Sequence, residues 1–324
     1  MQKTTLLLVA IITVFFSCEE KDQKRYVPKS NGQINDLTVV ADNILWENEV
    51  GDSIRKILAS PVEGLALEEP QFAMRQMPPE VWTGFAKKSR IVLKIEKGQP
   101  ADTQILKDAF ARPQTLVVIA GQTNAEIIEQ IKRNAEKIKD VYNKEEITER
   151  QRRTKKSLFN DKSINESLGL TIEAPTAYRM AKAEGKFFWL RKDIKTGTMD
   201  MMLYEVPLSA IRKEDSTVMD VVRLRDSVGK IHIEGPVEGS YMATEDAFTP
   251  FISQTILDNK PTFETKGLWD VENAYMSGPF INYAIEDKVN RRWVVLEGYV
   301  FAPSVEKRDY IFELESIIKS VEIE

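Results

Sequence analysis

The chain has 324 residues, of which 45 are Lys or Arg and 50 are Asp or Glu, and its net charge at pH 7 is −5. This mild acidity argues against nucleic acid as a partner, because proteins that bind nucleic acid present basic residues to the phosphates. The single histidine, His232, and the single cysteine, Cys18, exclude multi-histidine zinc sites, cysteine–histidine catalytic pairs and disulfides within the chain. No cofactor is expected.

The first eighteen residues have the pattern of a lipoprotein signal. Lys3 supplies a positive charge, and Leu6–Phe16 is almost entirely apolar. This run is too short to cross a bilayer, which takes roughly 20 residues, and it is typical of a cleaved secretory signal. Phe15-Phe16-Ser17-Cys18 resembles a bacterial lipobox. The resemblance implies a signal peptide over 1–17, acylation of Cys18 by a chain such as palmitate, and membrane attachment there. An uncleaved helix, or an ordinary signal with a coincidental cysteine, is the alternative.

Residues 18–35 are predicted to form a flexible tether. The segment Glu19–Gly32 is polar and has no apolar periodicity, so it cannot bury enough surface to fold by itself. Its acidic start, Glu19-Glu20-Lys21-Asp22, resembles the signal that sends some Bacteroidota lipoproteins to the cell surface. A solvated spacer would have the same composition.

An α+β half is predicted over residues 36–160. Strands are expected in four short apolar or alternating runs, which are 36–44, 71–77, 91–95 and 115–120. Residues 49–58 have the apolar spacing of a helix packed on a sheet, and 99–111 is expected to be a loop with one helical turn. A long helix is predicted after Thr123. The C-terminal part of this helix loses its apolar stripe and is predicted to be a solvated connector. It has oppositely charged residues four positions apart, such as Glu149 and Arg153.

A second α+β half is predicted over residues 166–324. Its strand-like runs are 168–173, 178–183, 186–191, 199–206, 231–234, 282–285 and 292–301. Helices are expected at 214–227, 247–257 and 305–321. His232 therefore falls in a predicted strand, where we expect a surface or structural role. Because strands and helices mix without a βαβ rhythm, the predicted class is α+β with two packed halves, each built on a mainly antiparallel sheet.

Several motifs resemble those of a family called domain of unknown function 4837, a group of Bacteroidota envelope lipoproteins. They are Trp46-Glu47, Val50-Gly51-Asp52, Gly64-Leu65, Glu69-Pro70, Gly239-Ser240-Tyr241-Met242, Gly267-Leu268-Trp269 and Met276-Ser277-Gly278-Pro279-Phe280. Ser277 departs from the glycine that is more common there. The resemblance spans the mature chain and implies an outer-membrane lipoprotein, at the periplasmic face or the cell surface. It implies no activity.

The second half also resembles the PsbP/Mog1-type α/β sandwich. The resemblance lies in Leu170–Pro175, in the paired strands that follow, and in Val294–Ala302 leading into a C-terminal helix. Proteins of that type are mostly non-enzymatic adaptors that dock on larger assemblies. A shared fold is a poor guide to function.

The aromatic and glycine-rich stretch from Gly235 to Tyr283 contains the candidate binding surface. Its candidate residues are Tyr241, Trp269, Tyr275 and Phe280. We expect a loop-rich region here, where binding residues concentrate. The alternative is that these rings fill the core beneath a long loop, which is the usual role of buried aromatic residues.

The predicted function is that of a lipid-anchored envelope protein that binds or scaffolds without catalysis. Its expected partner is an envelope protein or a glycan, and no catalytic or metal-binding residue is assigned. The alternative is a carboxylate-dependent hydrolase of envelope or surface glycans, because paired carboxylates such as Glu68-Glu69 and Glu145-Glu146 are abundant. Such an enzyme needs two carboxylates roughly 5–10 Å apart across a cleft.

Overall fold

The computed structural model describes residues 26–213 and 215–324. The predicted signal peptide, Cys18 and the start of the predicted tether lie outside these residues. The later part of the tether contacts the first half. Ser30 N donates to Arg112 O at 3.0 Å, and the buried Asn35 donates its N–H to the Glu146 carboxylate at 2.7 Å. The chain is therefore packed against the first half before the first strand begins.

The first half contains four helices and five strands among the described residues. The helices are α1 (Asn43–Glu47), α2 (Glu49–Leu58), α3 (Asn124–Arg133) and α4 (Ala135–Thr154). The strands are β1 (Asp36–Val40), β2 (Ala73–Met77), β3 (Ile91–Lys97), β4 (Asp102–Lys107) and β5 (Thr115–Gly121). Strand β4 replaces the loop that was predicted over 99–111, because its side chains are mostly exposed and give no apolar run.

The first sheet has the order β2-β1-β3-β5-β4. Its β1–β2, β1–β3 and β3–β5 pairs are parallel and only β4–β5 is antiparallel. The prediction of a mainly antiparallel sheet was therefore wrong for this half. Helices α1 and α2 carry the chain from β1 back to the start of β2, and such a crossover makes neighbouring strands parallel. Continuous apolar runs such as Thr115–Ala120 are typical of buried parallel strands.

The core of the first half lies between this sheet and helices α2, α3 and α4. Each helix contributes one apolar stripe, represented by Ile54 on α2, Ile127 on α3 and Tyr142 on α4, all fully buried. The Tyr142 hydroxyl donates to Val92 O at 2.7 Å. Below this layer, Arg90 pairs with Glu146 at 2.6 Å while both side chains are almost completely buried. The single long helix predicted after Thr123 is therefore two helices, α3 and α4, which meet at Asn134. Its last part is not a solvated connector, because Glu146 and Glu149 are buried.

The second half contains three helices and ten strands among the described residues. The helices are α5 (Ser163–Leu168), α6 (Thr217–His232) and α7 (Arg308–Ile318). The strands are β6 (Leu170–Thr171), β7 (Arg179–Glu184), β8 (Phe187–Ile194), β9 (Gly197–Pro207), β10 (Met242–Thr244), β11 (Phe251–Leu257), β12 (Lys260–Val271), β13 (Ala274–Asp287), β14 (Arg292–Phe301) and β15 (Glu322–Ile323).

The large sheet is antiparallel, with the order β10-β12-β13-β14-β9-β8-β7, and β11 also pairs with β12. One face packs against α7 through residues such as Leu203, Leu296 and Leu314. The opposite face packs against α6 through residues such as Tyr204 and Val221. The central strands are consequently buried on both faces. The α+β class is confirmed.

Two local predictions in the second half were wrong. The predicted helix over 247–257 is strand β11, which continues into β12 through a two-residue turn at Asp258-Asn259 with positive φ at both positions. His232 is the last residue of α6, where its ring stacks on Phe187 with centroids 3.9 Å apart. It also contacts Glu184 at 3.2 Å, so its role here is structural. None of the helices in the described ranges is long and apolar enough to cross a membrane.

Polar contacts join the two halves. The buried Glu69 carboxylate accepts the backbone N–H groups of Lys307 at 2.8 Å and Arg308 at 2.7 Å, and so caps the N-terminus of α7 from the first half. Further along, Arg150 of α4 pairs with Glu313 of α7. Gln151 donates to Ser316 O at 3.0 Å. Helices α4 and α7 are thereby fixed against each other.

We expect Glu69→Ala to lower the free energy of unfolding by about 1–2 kcal/mol, because it leaves the first N–H groups of α7 without an acceptor. Urea denaturation measures the change. The exposed neighbour Glu68 is the matched control, and Glu68→Ala should leave the stability of the protein unchanged. Equal effects of the two substitutions would show that the cap does not stabilise α7.

Candidate functional site

A pocket of about 220 Å³ opens on the α6 face of the large sheet, beyond the C-terminal end of α6. Its walls come from β8, β9, β10, β12, β13 and β14 and from the segment Ile233–Pro236 that follows α6. Arg191 faces Asp200 across β8 and β9, and Asp200 faces Tyr299 across β9 and β14. We call this cavity the Trp269 pocket, after the ring that forms its far wall. It exists because α6 ends before the sheet does.

Asp200 is the buried charge of this pocket. One carboxylate oxygen, Oδ1, accepts from Arg191 Nε and from Trp189 Nε1, both at 2.8 Å. The other oxygen, Oδ2, is buried and has no hydrogen-bond partner. Burial raises the pKa of Asp200, and the nearby Arg191 guanidinium opposes that rise. Asp200 is fully buried, so a bound molecule reaches this oxygen only by displacing part of the pocket wall.

Tyr299 and Trp269 supply two more buried polar atoms without partners, the hydroxyl of Tyr299 and the indole Nε1 of Trp269. Their rings pack edge to face with centroids 5.5 Å apart, and Phe301 contacts the indole from the other side. Burial, followed by the Asp200 charge, raises the pKa of Tyr299 far above its usual value, so the hydroxyl stays protonated. Buried polar groups without partners are uncommon in folded proteins and call for an explanation.

Gly278 provides the space in which the Trp269 ring lies. A Cβ atom on Gly278 would lie 1.9 Å from Val300 O and 3.1 Å from Trp269 Nε1. Gly278 stands directly opposite Trp269 in the β12–β13 ladder. The motif Met276-Ser277-Gly278-Pro279-Phe280 therefore has a physical basis, because only glycine lets β13 pass so close to both groups.

The pocket offers a specific set of hydrogen-bonding groups. Asp200 Oδ2 accepts, Trp269 Nε1 only donates, and the Tyr299 hydroxyl can do either. Arg191 already balances the charge of Asp200. A molecule that fits must therefore combine donors and acceptors with apolar surface for the aromatic walls. A small neutral molecule with several hydroxyl groups meets these requirements.

The structure separates the four residues of the predicted binding surface. Trp269 lines the pocket, whereas Phe280 is buried in the core under Arg225, whose guanidinium carbon lies 4.0 Å from the ring centroid. Tyr275 is fully exposed beside the β12–β13 turn, and the half-buried Tyr241 precedes β10. The expected loop-rich region is largely the hairpin of strands β12 and β13. The four rings do not form one surface.

Tyr241 contributes to a second, larger cavity of about 750 Å³ between α6 and the residues around β10. We call it the α6 groove. Its lining includes the apolar side chains of Val222, Met219 and Phe248, and Lys230 Nζ lies 4.9 Å from the centroid of the Tyr241 ring. Asp226 accepts from both the N–H and the hydroxyl of Thr244 at 2.7 Å. None of the described residues that line this groove has a buried side-chain polar atom without a partner.

Three of the four carboxylates that suggested a hydrolase have structural partners, and the fourth, Glu68, is exposed. Glu69 caps α7, and Glu146 is bound by Arg90. Glu145 accepts from Lys107 and from the Thr115 hydroxyl, both at 2.7 Å. Within the described ranges, no group of three or more His, Cys, Asp or Glu residues is arranged to hold a metal ion.

Sequence reasoning missed Arg191, Asp200 and Tyr299. A signal was present, because Asp200 interrupts an otherwise apolar run, Met199 to Leu203. An acidic residue within a buried strand needs a partner. The β8–β9 hairpin places Arg191 opposite Asp200. Tyr299 gives no comparable signal, because its role depends on the β9–β14 register.

We expect Gly278→Ala to lower the free energy of unfolding by about 1–3 kcal/mol, because the added methyl group overpacks the contact with Val300 and Trp269. Urea denaturation followed by tryptophan fluorescence measures both the loss and the displacement of the indole. Ser277→Ala, at the exposed neighbouring position, is the control. A fully stable Gly278→Ala protein with unchanged fluorescence would contradict this account of the motif.

Comparison with known proteins finds one family model that matches each half. Residues 157–320 match the family described as domain of unknown function DUF4837, and residues 30–155 match domain of unknown function DUF8532. The motifs between Trp46 and Pro70 thus lie in the DUF8532 region, and the DUF4837 match does not span the mature chain. No match was found among curated proteins.

Among solved structures, the Ran-binding protein Mog1p of Saccharomyces cerevisiae is weakly similar. The match has 8% identity and a TM-score of 0.33, and it covers 52% of this chain and 96% of that one. It is consistent with the PsbP/Mog1-type resemblance and carries no argument about function. Because the DUF4837 match covers half of the sequence, the chain belongs to the DUF4837 family.

Proposed function

We propose that this chain is a lipid-anchored envelope protein whose second half binds a small, neutral, polyhydroxylated molecule in the Trp269 pocket, without chemical conversion. One observation carries the proposal. Asp200, Tyr299 and Trp269 line the same cavity, and each has one buried polar atom without a partner. Each such group costs about 1–3 kcal/mol when it stays unpaired, so a ligand that enters the pocket, displaces part of its wall and pairs these atoms gains affinity.

The size and lining of the pocket favour a single sugar ring. A volume of about 220 Å³ has room for about seven water molecules at ~30 Å³ each, which is the scale of one monosaccharide unit. Each sugar hydroxyl both donates and accepts, so neighbouring hydroxyls can serve Asp200 Oδ2 and Trp269 Nε1 together. The aromatic side chains of the pocket can pack against the apolar face of a sugar ring. An end unit of an envelope glycan fits this description.

We expect ligand binding to weaken about tenfold in Tyr299→Phe, the equivalent of about 1.4 kcal/mol for one lost hydrogen bond. The affinity is measured by saturation-transfer NMR while the protein is titrated with a panel of free hexoses and N-acetylhexosamines. Asp200→Asn should weaken binding as well, because the amide nitrogen cannot accept a hydrogen bond.

Tyr275→Phe is the matched control, since it removes the same hydroxyl from a fully exposed ring. The ligand-free Tyr299→Phe protein should be at least as stable as wild type, because the lost hydroxyl has no partner. If no sugar in the panel binds, or if Tyr299→Phe binds as tightly as wild type, the proposal fails.

A membrane anchor at Cys18 is supported by the lipobox-like sequence and the short apolar run before it. We expect the wild-type protein, expressed in a bacterium that acylates lipoproteins, to partition into the detergent phase of a Triton X-114 extraction. Cys18→Ala should move it to the aqueous phase, because several acyl chains are lost together. Ser17→Ala, which keeps the cysteine, is the control. Detergent partitioning of Cys18→Ala would rule out lipidation at this residue.

The hydrolase remains the second candidate, and one feature of the pocket favours it. Asp200 has a raised pKa, as a general acid requires, and the exposed Glu234 lies at the rim of the same pocket. Turnover of nitrophenyl glycosides that is lost in both Asp200→Asn and Glu234→Gln would establish catalysis. Binding without turnover supports the non-catalytic proposal.

A further inference from the structure

Strand β11 forms an open edge of the large sheet. Its single ladder partner among the described residues is β12, with Phe251 opposite Lys266 and Leu257 opposite Lys260. The backbone hydrogen bonds outside the ladders include none from residues 251–257 in the described part of the chain. The outer side of β11 therefore presents free backbone N–H and C=O groups over its whole length.

The composition of β11 does nothing to protect this edge. The strand reads Phe-Ile-Ser-Gln-Thr-Ile-Leu and contains no charged residue and no proline. Phe251 is 45% exposed, Ile252 38% and Ile256 74%. A long, uncharged, apolar edge strand is a template for pairing with another strand, and soluble proteins normally protect such edges with charges, proline or bulges.

The other edge strands are either charged or very short: β2 contains Arg75, and β6, β10 and β15 have only two or three residues. Strand β7, at the far end of the same sheet, contains Arg179, Lys182 and Glu184 and a register shift after Met180. In the first sheet, the edge strand β4 begins with Asp102 and ends with Lys107. The exposed edge of β11 is thus an exception within this protein, not a general property of its sheets.

The β11–β12 turn determines which residues face outward. A two-residue turn at Asp258-Asn259 makes Leu257 and Lys260 a hydrogen-bonded pair, and such pairs recur at every second residue. The odd-numbered residues of β11 therefore bond to β12. The N–H and C=O groups of Ile252, Gln254 and Ile256 point outward.

We propose that β11 pairs with β11 of a second copy of this chain, antiparallel and with the two-fold axis at Gln254. In this register Gln254 faces its own copy, Ile252 faces the partner's Ile256, and Phe251 faces the partner's Leu257. All three outward residues, Ile252, Gln254 and Ile256, then form hydrogen-bonded pairs. Apolar residues face apolar residues, and Ser253 faces the hydroxyl of the partner's Thr255. Two eight-stranded sheets become one continuous sheet across the dimer.

A second copy fits this edge better than an unrelated strand because the sequence of β11 is complementary to itself. A two-fold axis requires that each residue suit its symmetry mate, and hydrophobicity is matched at every position about Gln254. No charge is available to select a different partner. The contact is small, so anchoring of both copies to one membrane, which belongs to the proposed function, would strengthen it through effective concentration.

The first test uses Gln254→Cys in the full-length protein. Oxidation of membranes that contain this variant should produce a disulfide-linked dimer, since hydrogen-bonded antiparallel neighbours have Cα atoms about 5.5 Å apart, within reach of a disulfide. Ala183→Cys on the protected strand β7 is the matched control and should form no disulfide-linked dimer. The wild-type protein, with Cys18 alone, reports any background crosslinking.

The second test is Gln254→Lys, which places two like charges face to face at the axis. The detergent-solubilised full-length protein should change from the mass of a dimer to that of a monomer in sedimentation equilibrium, with no loss of stability because Gln254 is exposed. Ala183→Lys should stay dimeric. A monomeric wild type, or a Gln254→Cys adduct with another protein and none with itself, would overturn the proposal. Neither test depends on a ligand for the Trp269 pocket.

Discussion

Arg225 and Glu297 face each other in the otherwise apolar layer between α6 and the large sheet, and the position of α6 depends on that contact. Arg225 Nε donates to Glu297 at 2.9 Å while both side chains are almost completely buried. Asn282 donates to the second carboxylate oxygen, and Arg225 also donates to the Thr244 hydroxyl. Burial raises the pKa of Glu297, and the guanidinium opposes the rise. A buried pair of this kind adds little net stability, but either charge left alone is costly. The helix is thereby fixed in one place along the sheet.

Both cavities of the second half follow from this placement. Because α6 is held against the sheet, the segment Ile233–Pro236 that follows its last turn reaches the Trp269 pocket. The other side of the same helix forms one wall of the α6 groove. The two cavities differ in their chemistry. The groove is larger, but none of its described lining residues has a buried side-chain polar atom without a partner, whereas three residues of the small pocket have one each.

Several buried carboxylates connect segments that are distant along the chain. Glu69 joins the first half to the N-terminus of α7, Glu146 holds the backbone of Asn35, and Glu313 receives Arg150 from α4 and Lys192 from β8 at 2.7 Å. A count of carboxylates in the sequence therefore overstates the number available for chemistry. Burial and pairing decide which of them a ligand can reach, and both are properties of the folded chain.

The sequence by itself determined the α+β class, the helical stretch that forms α3 and α4, the strand β14 and the C-terminal helix α7, because each rests on local periodicity or turn chemistry. It also pointed to Trp269, through a glycine-rich motif whose basis is the close approach at Gly278. Only the tertiary structure decided the parallel pairing of the first sheet, since strand direction depends on crossovers that connect distant segments. The Trp269 pocket likewise required the register that places Arg191, Asp200 and Tyr299 in one row across three strands. The local sequence determines which side chains of a strand point to the same face of the sheet. The side chains that lie next to them on neighbouring strands belong to residues that are far away along the chain.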